Sequence, residues 1–312
     1  LANKLSKDEV VEMSKSKIFS VFLLVFFILS SLLLANEITV KHSLGEAVVK
    51  KNPERVIVFD YGTLDTLERM GIDIIGLPKS NLPAVFAKYN DEKYENVGTL
   101  FEPNFEKIYG LRPDLIIISQ RQAEVYKELN RIAPTIYMEV LGSDYMGSVR
   151  KNASILAEIF AKKAYVESEL EKIRQATAQL RERAQASGKN ALIVMANDGN
   201  LSVYGPGSRF GLIHDEFGFA PVDEGIQVAN HGQSVSFEYI LEKDPDYIFV
   251  IDRAAVTGGS VSARQMFENE IIKETLAYKK GNIIYLNSEI WYVASGGLSG
   301  TFTMIEDIAS AF

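Results

Sequence analysis

The sequence predicts an α/β protein of two similar lobes with largely parallel sheets, joined by one long helix. Three observations carry that prediction. Short apolar runs alternate with helical stretches in both halves of the chain. Between the halves, residues 148–187 contain neither Gly nor Pro. One helix–turn–strand unit also occurs twice, once in each half, at a constant offset.

Taken in order, residues 55–60 (RVIVFD) form an apolar run suited to a sheet covered on both faces, and residues 63–70 are helical after it. Residues 73–77, 114–119 and 135–139 read as further strands, with 123–132 helical between the last two. In the second half, 191–196, 246–252 and 282–286 read as strands, and 210–217 and 237–242 as helices. Within the linking stretch, Val166, Leu170, Ile173, Leu180 and Ala184 recur at helical spacing among charged residues, as in an amphipathic helix. A helical connector between two lobes acts as a stiff spine and permits only small relative motion. The expected division is an N-terminal lobe at 36–162, the spine at 163–187 and a C-terminal lobe at 188–312.

The repeat pairs FEKIYGLRPDLIIIS (105–119) with FEYILEKDPDYIFVI (237–251). Phe105 matches Phe237, Ile108 matches Ile240, and Pro113-Asp114 matches Pro245-Asp246; at the same offset Arg121 matches Arg253. Each unit is a short helix, a Pro-Asp turn, a strand and an arginine just past the strand's C-terminal end. In open parallel sheets that end is where ligands bind. Two equivalent arginines on facing lobes are therefore expected to converge on one cleft.

Composition narrows the function. A chain of 312 residues that is 47% hydrophobic and 24% charged, with mean hydropathy +0.01, is neither disordered nor a multi-span membrane protein. It has no cysteine, which excludes disulfides, thiolate metal sites, thiol nucleophiles and a lipobox anchor. A formal charge of −8 and a pI near 5.2 argue against a nucleic-acid partner. An enzyme is disfavoured, because the chain lacks a G-x-S-x-G elbow and a Walker A sequence. The basic stretch Ser14–Lys17, the apolar run through Leu34 and the small residue Ala35 have the layout of a secretory signal. Met13 stands where an initiator belongs, so residues 1–35 read as an upstream extension plus signal peptide, cleaved near Ala35. A retained membrane anchor is the alternative.

Three further residues stand in loops beside predicted elements. Arg209 lies in Tyr204-Gly205-Pro206-Gly207-Ser208-Arg209-Phe210-Gly211, a structured loop whose glycine spacing departs from a dinucleotide fingerprint. His231 lies in a polar loop, and Tyr292 follows the only tryptophan. Each is ordinary alone; with three loop arginines they suit ferric-chelate chemistry. Iron(III) is a hard cation that favours phenolate oxygen and accepts imidazole. A four-donor chelator leaves two octahedral positions, which one tyrosine and one histidine fill. Catecholate chelates carry net negative charge, which arginines neutralise with fixed planar donors.

At this point the residues carry a resemblance. IISQRQ around Arg121, GPGSRFGLIHD around Arg209, HGQSVSFEYILEKDPDYIFVIDR from His231 to Arg253 and NIIYLNSEIWYVASG around Tyr292 are similar to the periplasmic siderophore-binding proteins of ABC importers, in the catecholate or enterochelin-binding branch. The resemblance implies the class III fold: two Rossmann-like lobes on one spine helix. It implies Arg121, Arg209 and Arg253 as chelate contacts and His231 and Tyr292 as metal ligands, with no built-in cofactor. The ligand is then an Fe(III)–siderophore delivered to an inner-membrane permease by a periplasmic monomer. A Ni(II)–chelate is the alternative cargo, with heme and cobalamin behind it. Docking on the permease is expected through acidic patches on the cleft-side rim, at Glu92 or Glu95 in the first lobe and Asp223 or Glu224 in the second.

Overall fold

A computed structural model describes residues 36–312. The signal-peptide reading of residues 1–35 lies outside the described residues. The fold opens with an antiparallel hairpin of β1 (Glu37–His42) and β2 (Gly45–Lys50). Then follow β3 (Val56–Val58), α1 (Tyr61–Arg69), β4 (Gly76–Leu77), β5 (Glu95–Asn96), α2 (Phe105–Leu111), β6 (Leu115–Ile118), α3 (Tyr126–Ile132) and β7 (Thr135–Tyr137). The five strands from β3 to β7 form one parallel sheet in the order β5-β4-β3-β6-β7. All residues of β3 and β6 are buried, as expected for central strands covered on both faces.

Helices α4 (Tyr145–Ile159) and α5 (Lys163–Ser187) follow, broken at Ala161, whose φ of 53° turns the chain out of the helix. Helix α5 has 25 residues and so spans about 37 Å. Val166, Ile173, Leu180 and Ala184 form its buried face, and Gly188 in the left-handed region ends it. Glu169 on that face is nearly fully buried; Lys172 and the Arg69 guanidinium at the end of α1 both bond it.

The second sheet runs β11-β9-β8-β12-β13, with β10 alongside β8. Its strands are β8 (Asn190–Asn197), β9 (Asn200–Tyr204), β10 (Ala220–Pro221), β11 (Gln233–Val235), β12 (Tyr247–Asp252) and β13 (Ile283–Tyr285). β8, β10, β12 and β13 are parallel, but β9 and β11 add an antiparallel edge that the sequence reading omitted. The β8–β9 turn is Asp198-Gly199, with φ of 46° and 88° at the two residues. An Asp-Gly pair between apolar runs is a strong hairpin signal, so this element was legible. The helix expected at 210–217 shrinks to α6 (Leu212–Asp215).

The repeat is structural as well as sequential. Helices α2 and α7 (Phe237–Lys243) end on left-handed residues, Arg112 and Asp244, at equivalent positions. The two repeat aspartates then tie each unit to the next strand over: Asp114 accepts the Glu54 and Arg55 N–H groups (both 3.0 Å), and Asp246 accepts that of Asn190 (3.2 Å).

Helices α8 (Arg253–Thr257), α9 (Ala263–Phe267), α10 (Glu270–Lys273), α11 (Leu276–Lys279) and α12 (Ser288–Tyr292) complete the second lobe. Helix α13 (Leu298–Ala309) returns to pack on α1 and α5, so one hydrophobic core runs continuously from β1 to the C-terminal helix. The junction is tight. A methyl on Gly62 would fall 2.2 Å from the Ser295 carbonyl oxygen. Asp65 of α1 accepts the Ser299 (2.7 Å) and Gly300 (3.1 Å) N–H groups at the start of α13. Asp65→Ala would strand both buried donors, so we expect it to lower unfolding free energy by about 2–3 kcal/mol. Urea denaturation checks this; an unchanged midpoint would mean the junction contributes no net stability.

Candidate functional site

The cleft side of each sheet is set by its strand ends. β6 leads through Ser119 into a 3₁₀ segment, Gln120–Val125, that carries Arg121, and β12 ends at Asp252, so that Arg253 opens α8. Asp252 caps α8 by accepting the Ala255 N–H at 3.0 Å. β13 leads into α12, whose last residue is Tyr292. The loop after β9 brings Arg209 to the lobe junction. There Gly142, beyond β7 of the first lobe, has no room for a side chain: a methyl would lie 2.6 Å from the Ser208 oxygen and 2.9 Å from the Arg209 nitrogen.

Three of these residues, Arg253, Arg209 and Tyr292, form one cluster around a phenol. Arg253 Nε donates to the Tyr292 hydroxyl at 2.6 Å, and its guanidinium lies 5.6 Å from the ring centre. The Arg209 guanidinium lies 4.7 Å from the same ring and donates to the Tyr292 carbonyl. Arg209 also sits 5.0 Å from the Phe210 ring. Although Arg209 is open to solvent, protein crowds it closely, as at the floor of a cleft. That crowding, and then the charge of Arg121, pull its pKa below the ordinary value. Arg121 on the first lobe therefore acts on Arg209 on the second. Among the described residues, no carboxylate oxygen lies within ion-pairing distance of the three guanidinium groups.

The first lobe adds two groups that the sequence reading did not single out. Asp60, just past β3, caps α1 by accepting the Thr63 N–H at 2.7 Å. Burial pushes its carboxyl above the usual range, against the pull of Thr63, Arg121 and Ser119. Burial likewise pushes the Tyr61 phenol up to about 12, with Arg121 opposing. Both follow a parallel strand's C-terminal end, the rule that located Arg121, so the signal was available. Tyr204 in the second lobe is pushed up to about 12 by burial, with Arg209 opposing. Its ring meets Phe210 edge-on at 4.7 Å.

The three histidines separate by environment. His214 is buried, with Nδ1 2.9 Å from the Phe219 carbonyl. His42 packs edge-on against Tyr126 and Tyr137. His231 lies in an exposed turn closed by Gly232 N–H donating to the Ala229 carbonyl at 3.1 Å. A methyl on Gly232 would lie 2.8 Å from the Tyr204 ring, so His231 stands one residue from the cluster's wall. Among the described contacts, none joins His231 to Tyr292.

The four acidic residues differ in how far other groups engage them. Glu95 begins β5 opposite Gly76, at the start of β4, and pairs with Lys107 at 2.7 Å. Glu92 is exposed but lies on the same approach; its neighbour Lys93 reaches toward Asp73, which precedes β4. Asp223 follows β10, which pairs with the first residues of β8, whereas Arg253 follows the end of β12. Asp223 is also engaged by Lys243 (3.0 Å), the Tyr239 hydroxyl (2.8 Å) and the Gly225 N–H (2.8 Å), which hold its pKa at about 2. It fastens β10 to α7, and only Glu224 beside it is an exposed carboxylate.

Known proteins share this fold. The chain is 48% identical over 276 residues to the petrobactin-binding protein YclQ of Bacillus subtilis (strain 168), covering 87% of each chain. The crystal structure of that protein superposes with a TM-score of 0.86 over 88% of this chain and 98% of that one. The periplasmic catecholate-siderophore binding protein VctP of Vibrio cholerae gives 0.83 at 36% identity, over 88% and 99% of the two chains. The ferric-anguibactin-binding protein FatB of Vibrio anguillarum (strain ATCC 68554 / 775) is 30% identical over 288 residues, covering 89% of this chain and 88% of its own. A family model for periplasmic binding proteins matches residues 45–290, and the chain belongs to that family.

Proposed function

We propose that this protein binds a ferric siderophore of the catecholate class in the cleft between its lobes and delivers it to an ABC permease. The observation that carries the reading is the Arg253–Tyr292–Arg209 stack, with the charge of Arg121 acting on Arg209 and, among the described residues, no carboxylate ion-paired to these guanidinium groups. Such a cluster suits an anion of matching shape. Catecholate oxygens around iron supply several acceptors at once, and fixed guanidinium forks bind such oxygens better than flexible ammonium groups do. Tyr292, already oriented by Arg253, supplies phenolate oxygen to a tetradentate chelate, and His231 swings in from its turn to take the remaining position. The names of YclQ, VctP and FatB support a siderophore as the cargo, and FatB's supports ferric iron, so the nickel reading is not carried further. Every relative named above is a binding protein, which supports a carrier and not an enzyme. The exposed Glu92 and Glu224 serve as permease contacts, one on each lobe.

Trp291, fully buried beside Tyr292, reports on the site. Titration with a ferric bis-catecholate should quench its fluorescence to saturation at about one equivalent, with the chelate recovered unchanged. Absence of saturable quenching, or consumption of the chelate, would overturn the proposal.

A further inference from the structure

Four exposed apolar side chains lie on segments tied to those that carry the arginine cluster, although exposed apolar residues ordinarily scatter singly over a surface. Phe101 is 72% exposed, yet its backbone is rigidly held. The turn pairs Gly98 with Pro103, and the Thr99 hydroxyl accepts the N–H groups of Phe101 (3.1 Å) and Glu102 (2.9 Å). The Leu100 carbonyl accepts a bond from the Gln122 side chain, which is itself buried and adjacent to Arg121. The turn that carries Phe101 is thus tied to the segment that carries Arg121. Leu141 sits next to Gly142, the residue pressed against the Arg209 backbone. Val228, 66% exposed, has a methyl 4.0 Å from the point where a side chain on Gly207 would begin. Gly207 is two residues from Arg209, and Val228 is three from His231. Val85 is held by Glu289 of α12, the helix that ends in Tyr292.

From this arrangement we infer that Phe101, with Leu141, Val228 and Val85 around it, is a specificity-determining rim that reads the aryl rings of the chelate. The inference rests on the ferric-siderophore reading and adds the feature that selects among anions of similar charge. Cationic groups at the floor bind any polyanionic ferric complex. An apolar rim above them gains only from a ligand whose periphery is apolar, and a ring held by a stiff turn stacks on another ring with little loss of entropy. A ferric chelate built on aliphatic hydroxycarboxylates offers charge to the floor and nothing to the rim. Aryl chelates are therefore preferred.

The test uses the full mature chain with two probes, a ferric tetradentate bis-catecholate carrying dihydroxybenzoyl rings and ferric citrate, followed by Trp291 quenching. Phe101→Ala should weaken the aryl chelate about tenfold, the scale of one lost aromatic contact with its buried area, and change ferric citrate by less than about twofold. Phe101→Leu, which keeps an apolar side chain but no ring, should fall between the wild type and the alanine variant. An unchanged thermal midpoint shows that the clamp to Gln122 is intact. Equal loss for both probes, or no loss with the aryl chelate, would refute the rim while leaving the ferric-siderophore reading standing. Failure of the wild type to bind the aryl chelate would refute that reading itself.

Discussion

Replacing Arg209 and Arg253 together with glutamine is expected to weaken binding of a ferric tetradentate catecholate by about a thousandfold. The magnitude follows from two charge-assisted hydrogen-bonding groups, each contributing roughly 1.5–3 kcal/mol, at about 1.4 kcal/mol per tenfold. The pair acts through one residue, because Arg253 bonds the Tyr292 hydroxyl while Arg209 lies over the Tyr292 ring and bonds its backbone carbonyl. The double variant should therefore lose somewhat more than the sum of the singles. Wild-type affinity should fall as salt rises, and the double variant should show a flatter salt dependence. Arg209→Lys should recover only part of the loss, since an ammonium restores charge but not the planar fork. Direct titration of each variant at two salt concentrations checks all three statements. Less than about tenfold loss in the double variant would mean that the arginines are not the anion contacts.

The second large effect concerns the metal. Tyr292→Phe should remove a phenolate-to-iron charge-transfer component from the visible spectrum and weaken a tetradentate chelate about a hundredfold, whereas His231→Ala should weaken it by about tenfold. A hexadentate chelate leaves no vacant iron position, so both variants should bind it within about threefold of wild type. That contrast separates coordination from packing. Tyr292→Phe also takes away the acceptor of the Arg253 bond, and this second consequence affects both chelates alike. Equal losses with tetradentate and hexadentate chelates would assign Tyr292 to positioning the arginines and remove it from the metal.

Much of this was legible before any coordinates. Apolar runs located the central strands of both sheets, because residues such as those of β6 are buried on both faces and need no alternation to be recognised. The repeat placed Arg121 and Arg253 alike because each follows the C-terminal end of a parallel strand. The antiparallel edge was missed although Asp198-Gly199 announces it, since attention to parallel βα units displaces the hairpin signal. Asp60 was missed because a carboxylate at a strand end looks like an ordinary helix cap, which it also is. The acidic residues carry no comparable positional signal. Charge on a sequence carries no address, and only the register of β5 on β4 and of β10 on β8 shows which end of each sheet they occupy. Nor does sequence reveal that Gln122 clamps the Phe101 turn, because that bond joins segments 22 residues apart.

The position of the iron is the most direct test of the account. Crystals of the protein grown with a ferric tetradentate bis-catecholate should give one anomalous iron peak inside the arginine cluster. That peak should lie at bonding distance from the Tyr292 oxygen and from a ring nitrogen of His231, with the catecholate oxygens facing Arg121, Arg209 and Arg253. An iron peak elsewhere, or one in the cluster with both side chains turned away from the metal, would contradict it.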